Sequence, residues 1–484
     1  MLNKIFLCGC EFMIKKIDSF FEITKRGSTV KTEIIAGLTT FFAMAYIVIA
    51  NPNQLVGFNR DGDLNKIWLA TYVASILVAI IGSLLMSLYA KMPLAQACGM
   101  GLNSFFFSSF ILPELASGNV IQGYKEGLCV ILISGFIFLI MSVTGLRQYV
   151  AMALPENLKK AIPAGIGLFI ALLGFMGAGI VEANQYTLVQ LFDFHGAVAG
   201  KGLFEAWCSI APVVLSFLGL CVMAYLSKKK VTGAVIYTIL GVSVLYYITT
   251  WTVPDFNFSD IGESFKAFSE IGLFGAFKGF SVFSGGASAI VNAIVLIITF
   301  CLVDMFDTVG TLYAAAAQSN MVDENGDPLN MAKCMNSDSI ATAAGALLGT
   351  STATTLSESA AGVAAGGRTG LTSFVTSLGF VLCLFLTPLA SIVPSCATAP
   401  ALIYVGVLMA KGFANVDMDD ITSAVPAFLA FILMPLTYSI SNGIAVGAVA
   451  YVIIALISRK YSKKDIPVTI IGILFILRFF LVTM

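Results

Sequence analysis

The chain has 484 residues, of which 58% are apolar and only 11% are charged, and its formal net charge is zero. Soluble domains carry roughly 25% charged residues, whereas a membrane-spanning helix needs about 20 mostly apolar residues, so this apolar content is enough for about fourteen spans. The composition excludes a soluble enzyme, a nucleic-acid-binding protein, a disordered scaffold and a receptor with a single membrane anchor. The sequence therefore predicts a polytopic membrane protein that lies in the lipid bilayer.

Histidine and cysteine usage predicts neither a metal centre nor a cofactor. His195 is the only histidine and lies in a predicted outside loop, which excludes a histidine proton relay within the membrane. The ten cysteines are scattered through apolar stretches, as small buried residues are, and do not form a disulfide pattern. The sequence also has no phosphate-binding loop and no nucleophile elbow. We therefore expect no cofactor, no bound metal and no ATP-driven motor.

Apolar stretches follow one another along the chain after a polar, basic segment at residues 1–33, which does not resemble a removable signal peptide. Residues 466–483 are also apolar but contain Arg478, and they either lie on the membrane surface or add a fifteenth span. The fourteen predicted spans are 34–51, 67–90, 94–112, 125–145, 161–180, 208–227, 232–250, 287–315, 337–349, 350–367, 370–390, 396–412, 420–438 and 441–458.

The distribution of positive charge agrees with fourteen spans. If both termini are inside, the inside loops hold about three times as many lysines and arginines as the outside loops, as the positive-inside rule requires. An odd number of spans would place the basic run at residues 459–464 outside. We therefore expect a multi-pass protein of the cytoplasmic membrane with both termini in the cytoplasm.

Fourteen spans divide into two sevens, and an odd number of spans per half makes the two halves inverted repeats. Pro163 near the start of the fifth span and Pro400 near the start of the twelfth occupy equivalent places. Glycines at residues 96–103 and a threonine/serine run at residues 349–355 are poor helix formers in spans 3 and 10. The predicted fold is therefore an all-α 7+7 inverted repeat in which short extended segments and half-helices interrupt these two spans, next to a binding cavity.

Three carboxylates inside apolar stretches are the strongest candidates for function. Asp304 and Asp307 are spaced i, i+3 and share one helix face, and Glu358 falls near the start of the predicted half-helix in span 10. A carboxylate at the bilayer centre costs at least about 2.5 kcal/mol, so we expect these groups to bind a polar substrate and take up protons. The alternatives are a capping role for Glu358 and a helix–helix hydrogen bond for one aspartate.

Two residues of span 3 are candidates for contact with a ligand. The side-chain amide of Asn103 both donates and accepts hydrogen bonds, which suits a neutral heterocycle, although asparagine is also a frequent helix or turn cap. Phe105 follows two residues later and is a candidate to stack on a planar ligand. The alternative for Phe105 is ordinary packing against lipid or other side chains.

Four motifs resemble one family, the AzgA-like purine permeases of the nucleobase–ascorbate transporter superfamily. They are EIIAGLTTFFAMAYIV at residues 33–48, GMGLNSFF at 99–106, DMFDTVGTL at 304–312 and ESAAGVAAGGRTG at 358–370. The motifs stand in the order of that family's first, third, eighth and tenth spans. The resemblance extends over nearly all of residues 30–458.

The resemblance implies two domains and a transport activity. Spans 1–4 and 8–11, at residues 34–145 and 287–390, would form a core domain. Spans 5–7 and 12–14, at residues 161–250 and 396–458, would form a gate domain, and residues 459–484 would be a basic segment followed by the apolar tail. The implied activity is proton-coupled uptake of hypoxanthine, guanine or adenine.

The resemblance also implies roles for individual residues. Asn103, Asp304, Asp307 and Glu358 match the family's site positions, and the adjacent segment Leu356-Ser357 would contact the base, with Ser357 as a substrate-binding residue. Many relatives have an aromatic or β-branched residue in this segment, so the preference among purines stays open. The carboxylate that carries the proton, the number of protons per base and the oligomeric state, including a homodimer, stay open as well.

Three other kinds of membrane protein compete with this interpretation. An anion transporter, or another small-solute transporter or exchanger of the same 7+7 fold, is the nearest, but central carboxylates would repel an anion. An ion channel requires a continuous pore, usually with charged rings from oligomeric symmetry, whereas the repeat indicates a site within one chain. A membrane-embedded enzyme lacks any recognisable catalytic set of residues.

Overall fold

The fold is mostly helical. Among the described residues, eight helical segments are long and apolar enough to cross a membrane, and four shorter apolar helices accompany them. The predicted contact residue Ser357 and residues 1–14 lie outside the described part of the chain. The computed structural model describes residues 15–144, 155–184, 187–229, 231, 233–254, 256–319, 321, 328–356 and 358–481.

The first half of the chain consists of long helices, with a strand before the fourth helix and a strand pair after the sixth. The elements are α1 (Val30–Met44), α2 (Ile47–Leu55), α3 (Asp63–Leu85), β1 (Gln96–Cys98), α4 (Met100–Phe106), α5 (Val120–Thr144), α6 (Glu156–Gly177), β2 (Val181–Asn184), β3 (Leu188–Leu191), α7 (Phe194–Val198), α8 (Leu203–Lys228), α9 (Ala234–Thr250) and α10 (Ser259–Ala267).

The second half repeats this plan, with one strand before a short helix. The elements are α11 (Gly286–Ser319), α12 (Met331–Leu348), β4 (Ala353–Thr355), α13 (Ser359–Ala364), α14 (Gly370–Cys383), α15 (Thr387–Ser391), α16 (Ser395–Ala410), α17 (Ile421–Leu436), α18 (Ile440–Ile457) and α19 (Ile466–Leu481).

Short polar side chains and one glycine set where several helices begin and end. Thr29, Thr369, Asp420 and Ser439 accept hydrogen bonds from backbone N–H groups in the first turns of α1, α14, α17 and α18, which satisfies donors that have no partner within the helix. Gly349 ends α12 with φ +99°, and a Cβ there would lie 2.5 Å from the Cα of another residue. Only glycine fits this turn, which leads directly towards β4.

The helices form two groups that pack mostly within themselves. In the smaller group, α6 packs on α16 and α17, α17 on α18, and α8 on α9 and α16. In the larger group, α1 packs on α13 and α14, α12 on α3 and α5, and α11 on α5 and α13. The last helix, α19, corresponds to the apolar tail and packs on α18 and α11.

Glycines bring neighbouring backbones close together within both groups. A Cβ at Gly167 in α6 would lie 2.8 Å from the carbonyl oxygen of Gly406 in α16. A Cβ at Gly37 in α1 would lie 2.5 Å from the carbonyl oxygen of Thr372 in α14. Helices in membranes associate through such close van der Waals contacts, because lipid provides no hydrophobic driving force between them.

Strands β1 and β4 pair antiparallel in the middle of the larger group, with Gln96 opposite Thr355 and Cys98 opposite Ala353. The backbone N–H of Gly99 extends the pair by donating to the carbonyl oxygen of Thr352 at 3.0 Å. Strand β1 leads into α4 and β4 leads towards α13, so the start of each short helix lies beside this pair. Helices α3, α11 and α12 pack around it.

The structure differs from the sequence prediction in three places. The fold contains strands as well as helices: β1 and β4 lie in the two segments where the sequence predicts extended backbone, whereas the sequence does not predict the β2–β3 pair. Helix α12 begins at Met331, six residues before the predicted stretch 337–349, because polar residues near its exposed end continue the helix. The predicted first span consists of two successive helices, α1 and α2.

Candidate functional site

Two aspartate–threonine pairs connect α11 and α12 beside strand β4. Asp304 in α11 accepts a hydrogen bond from Thr342 in α12, with an Oδ2 to Oγ1 distance of 2.7 Å. The second pair runs the opposite way, because Thr308 in α11 donates to Asp338 Oδ2 in α12 at 2.7 Å. The helices are therefore linked by two hydrogen bonds that run in opposite directions.

Both threonine hydroxyls also hold strand β4. Thr342 Oγ1 accepts a hydrogen bond from the backbone N–H of Ala353 at 3.1 Å, and Thr308 Oγ1 accepts one from the backbone N–H of Thr355 at 3.4 Å. The residue between them, Thr354, donates through its side chain to Asp307 Oδ2 at 3.4 Å. The three consecutive residues of β4 are thus tied to aspartates of the two helices, directly or through one hydroxyl.

The two pairs differ in their remaining carboxylate oxygens. Asp338 Oδ1 accepts a hydrogen bond from Gln96 Nε2 in β1 at 3.1 Å, so both of its oxygens are paired. Asp304 Oδ1 is buried and has no hydrogen-bond partner within the described parts of the chain. The hydroxyl of Thr352, just before β4, is also buried and has no hydrogen-bond partner among the described residues. An unpaired buried oxygen is costly, so Asp304 and Thr352 are candidates to bind a ligand beside β4.

Asp338 is the residue that sequence reasoning missed. It is fully buried and lies within the predicted stretch 337–349. An ionisable residue inside a predicted span could therefore have identified it as a candidate. Its neighbours Lys333 and Asn336 make the start of this stretch look like a loop. The helix nevertheless starts at Met331 and carries Asp338 into the protein interior.

Glu358 lies just before α13 at the edge of a cavity of about 560 Å³. This Glu358 cavity lies between the two helix groups, with Thr39 of α1 on one side and Tyr404 of α16 on the other. Tyr46 donates a hydrogen bond to Glu358 Oε1 at 2.7 Å. Glu358 occupies the N-cap position of α13, but its side chain makes no capping hydrogen bond there.

Asn103 is fully buried in the first turn of α4. Its side-chain oxygen accepts a hydrogen bond from Ser351, and its side-chain nitrogen donates to Gln54 Oε1 at 3.3 Å. The residue is therefore not the cap of α4, because Gly99 occupies that position. The ring of Phe105 is buried with its centroid 5.0 Å from that of Phe300.

The four carboxylates form a row through the larger group. Asp304 interacts electrostatically with Asp307 and Asp338, and Asp307 interacts with Glu358. Asp304 and Asp338 are buried, whereas Asp307 and Glu358 are partly accessible. Neighbouring carboxylates in a weakly polar interior repel one another when both are charged, so the row is suited to bind a proton or a polar ligand.

Another buried carboxylate, Glu33, has a structural environment. It accepts hydrogen bonds from the backbone N–H groups of Arg368 and Thr369 at 2.9 and 3.2 Å, and from the Thr372 hydroxyl at 2.7 Å. These three donors surround the start of α14. Glu33 therefore connects α1 to α14, and its satisfied environment contrasts with that of Asp304.

Comparisons with known proteins agree with this architecture. An adenine permease of Escherichia coli is 34% identical over 475 residues, which cover 96% of this chain and 96% of that protein. A guanine/hypoxanthine permease of Bacillus subtilis is 36% identical over 463 residues, which cover 95% and 100%. The transmembrane domain of a cyanobacterial bicarbonate transporter shares the fold, with a TM-score of 0.57 at 16% identity over 85% of this chain and 96% of that one.

These relatives are transporters and are more than 30% identical over nearly their whole length. The resemblance to the purine permeases of the nucleobase–ascorbate transporter superfamily is thereby confirmed. The protein is an integral membrane transporter and not an enzyme. A permease-family profile matches residues 31–446, and the chain belongs to that family.

Proposed function

We propose that the protein is a proton-coupled symporter that imports purine nucleobases across the cytoplasmic membrane, with hypoxanthine and guanine, and also adenine, as substrates. The observation that carries the proposal is the row of carboxylates beside the β1–β4 pair, which ends with Glu358 at a cavity between the two helix groups. Relatives named as adenine and guanine/hypoxanthine permeases support the substrate class.

The fold proposed for this activity has fourteen spans in a 7+7 inverted repeat, with both termini in the cytoplasm. The larger helix group is the core domain and the smaller group is the gate domain. Strand β1 with α4 forms the interrupted third span, and β4 with α13 forms the interrupted tenth. The location of the polar residues supports this assignment, because irregular backbone at membrane depth is expected where it lines a site.

A purine base suits the polar groups of this site. Its ring edge alternates hydrogen-bond donors and acceptors, and the base itself is neutral and planar. Asp304 Oδ1 and Thr352 Oγ1 lack partners within the described residues, and Asp304 and Glu358 accept hydrogen bonds from the ring edge in our proposal. Asn103 completes the polar surface through its amide. The base contacts predicted for Phe105 and Ser357 remain predictions.

Glu358 is the proton carrier in this proposal. It lines the Glu358 cavity and is partly accessible, whereas Asp304 and Asp338 are buried. A carboxylate must reach water on one side of the membrane to exchange its proton. Protonation removes one negative charge from the row, and this lowers the cost of moving the site between the two sides of the membrane.

The transport cycle follows from these assignments. In the outward-facing state of the proposed cycle, a proton from outside neutralises Glu358, and the base then binds beside the β1–β4 pair. The core domain moves against the gate domain, which exposes the site to the cytoplasm, and the base and proton leave. The small number of packing contacts between the two helix groups supports a relative movement of this kind.

Anion transport is the rival function on the same fold, and the bicarbonate transporter is similar in fold alone. Among the described residues that line the Glu358 cavity, none is a lysine or an arginine. The nearby carboxylates would repel an anion.

Binding of labelled hypoxanthine to the purified protein tests the proposed substrate class. Unlabelled adenine, guanine, uracil and bicarbonate serve as competitors in the same assay. Displacement by purines alone is expected. Displacement by bicarbonate, or no purine binding by folded protein, would contradict the proposal.

A further inference from the structure

A second cavity, of about 350 Å³, lies between the two helix groups beyond Asn103. The larger group contributes Gln54, Phe58, Ser104 and Phe107 to this Gln54 cavity, and the smaller group contributes the end of α6, the start of α16 and Tyr438. Its volume is within the range of small-molecule sites, about 300–1,000 Å³. Nothing in the proposed transport site uses this space.

The Gln54 cavity and the Glu358 cavity lie at opposite ends of the boundary between the groups. Gly177, the last residue of α6, lines the Gln54 cavity. Ser227, near the end of the next long helix, α8, lines the Glu358 cavity. Consecutive spans run in opposite directions, so the two ends lie on opposite sides of the membrane. With the proposed orientation, the Gln54 cavity faces outside.

Two buried polar groups at the wall of the Gln54 cavity lack partners. Gln54 and Ser104 are each only 2% exposed, and neither Gln54 Nε2 nor Ser104 Oγ has a hydrogen-bond partner in the described residues. Buried polar groups are almost always paired. An amide N–H and a hydroxyl without partners match a ligand that presents acceptor atoms along one edge.

Aromatic rings surround these polar groups, and glycines make room for them. The ring of Phe107 lies so close to Gly57 that a Cβ there would come within 2.5 Å of its Cε2 atom. The ring of Phe58 lies 3.3 Å from the position that a Cβ would occupy at Gly177. Flat apolar faces next to hydrogen-bond donors favour a planar heterocycle over an ion or a sugar.

The Gln54 cavity is also connected to the transport site. Gln54 Oε1 accepts the hydrogen bond from Asn103 Nδ2 at 3.3 Å, and Ser104 follows Asn103 directly in α4. A ligand in the Gln54 cavity therefore lies one side chain away from a predicted binding residue. We propose that the Gln54 cavity is an outer subsite where a purine base binds before it reaches the carboxylates, an inference that rests on the proposed function.

Two substitutions remove the donors of this subsite, and the second also introduces a buried carboxyl group. Ser104→Ala removes the hydroxyl, and Gln54→Glu replaces the donor nitrogen while it keeps an oxygen to accept from Asn103. Ser108→Ala is the matched control, because this hydroxyl donates to the backbone carbonyl of Phe105 at 3.1 Å and does not line the cavity. The full-length chain is reconstituted in liposomes of known orientation.

The measurement is KM for hypoxanthine presented from the outside and, separately, from the inside. Loss of one neutral hydrogen bond corresponds to about a 3- to 10-fold change in affinity. We expect Ser104→Ala to raise the outside KM by that factor and Gln54→Glu to raise it by at least that factor, with the inside KM unchanged and Ser108→Ala like wild type.

Two results would overturn the outer subsite while the proposed function stands. One is an outside KM within twofold of wild type in both variants. The other is an equal rise of KM on both sides, which would mean that Gln54 and Ser104 act through Asn103. If the wild-type protein itself transports no purine, the proposed function fails, and the subsite fails with it. Ser104→Ala keeps the test decisive if Gln54→Glu does not fold.

Discussion

The Asp304–Thr342 and Asp338–Thr308 pairs have the same construction, yet their second carboxylate oxygens differ. Each aspartate accepts from a threonine of the facing helix at 2.7 Å, and each threonine holds one residue of β4. Asp338 is completed by Gln96 of β1, whereas Asp304 keeps one oxygen without a partner in the described chain. The same aspartate–threonine arrangement therefore leaves one aspartate fully hydrogen-bonded and the other with an oxygen that a ligand can use.

We interpret Asp338 as the residue that positions the strands and Asp304 as the residue that contacts the ligand. Asp338 connects α12 to both β1 and α11, so it fixes the geometry of the site. Asp304 lies beside the same strands, and its Oδ1 atom has no hydrogen-bond partner among the described residues. Glu358, at the cavity end of the row, adds access to protons. Substitutions at Asp338, Asp304 and Glu358 should therefore have different effects on stability, binding and proton coupling.

The largest effect is expected for Glu358→Gln. Glutamine still accepts the hydrogen bond from Tyr46 but does not bind a proton, so we expect accumulation of hypoxanthine against its gradient to be abolished. Exchange of labelled for unlabelled hypoxanthine should persist. Uptake and exchange in proteoliposomes measure the two activities, and accumulation at the wild-type level would refute the role of Glu358.

Asp304→Asn is expected to weaken purine binding about 10- to 100-fold, because a hydrogen bond to a charged group is worth about 1.5–3 kcal/mol. The amide keeps an oxygen for Thr342, and its nitrogen occupies the place of the unpaired oxygen, so the melting temperature should match wild type. Equilibrium binding and thermal unfolding in detergent test both statements. Wild-type affinity would remove Asp304 from the site.

Asp338→Asn is expected to destabilise the fold as well as slow transport. One of the donors from Thr308 and Gln96 would then face the amide nitrogen, and an unsatisfied buried group costs about 1–3 kcal/mol of unfolding free energy. A melting temperature below that of Asp304→Asn is the expected result. Equal melting temperatures for the two variants would contradict the division between positioning and binding.

The smallest effect is expected for Tyr46→Phe. The substitution removes one hydroxyl, which donates to Glu358 at 2.7 Å, and leaves the aromatic packing in place. We expect the initial uptake rate to fall about 3- to 10-fold, less than for loss of a direct bond to the base, because Tyr46 acts only through Glu358. Tyr89→Phe is the matched control, because the Tyr89 side chain is exposed and its hydroxyl accepts a hydrogen bond from Asn336 Nδ2 at 3.2 Å. Equal rates for the two variants would argue against a role for Tyr46.

The site residues that can be identified from the sequence are those that are energetically unfavourable inside a membrane span. Asp304, Asp307 and Glu358 were identifiable because a charge within an apolar stretch requires an explanation. The glycine-rich and threonine-rich segments were identifiable because they do not favour helix. Both signals are local, so they need no knowledge of how distant parts of the chain meet.

The pairing of distant segments was not predictable from the sequence. Gln96 and Thr355 are opposite each other in the β1–β4 pair although 258 residues lie between them along the chain. The role of Asp338 depends on this pairing, since one of its partners comes from β1 and the other from α11. Hydrogen bonds of this kind are set by tertiary packing.

The most direct test of proton-coupled purine transport uses purified protein in liposomes that contain no purine. Uptake of labelled hypoxanthine is followed with an inward proton gradient and again after an ionophore has collapsed it. We expect accumulation above the external concentration only with the gradient, and no accumulation by Glu358→Gln. Equal uptake with and without the gradient would show that the protein moves purines without proton coupling, and no uptake by folded protein would contradict purine transport itself.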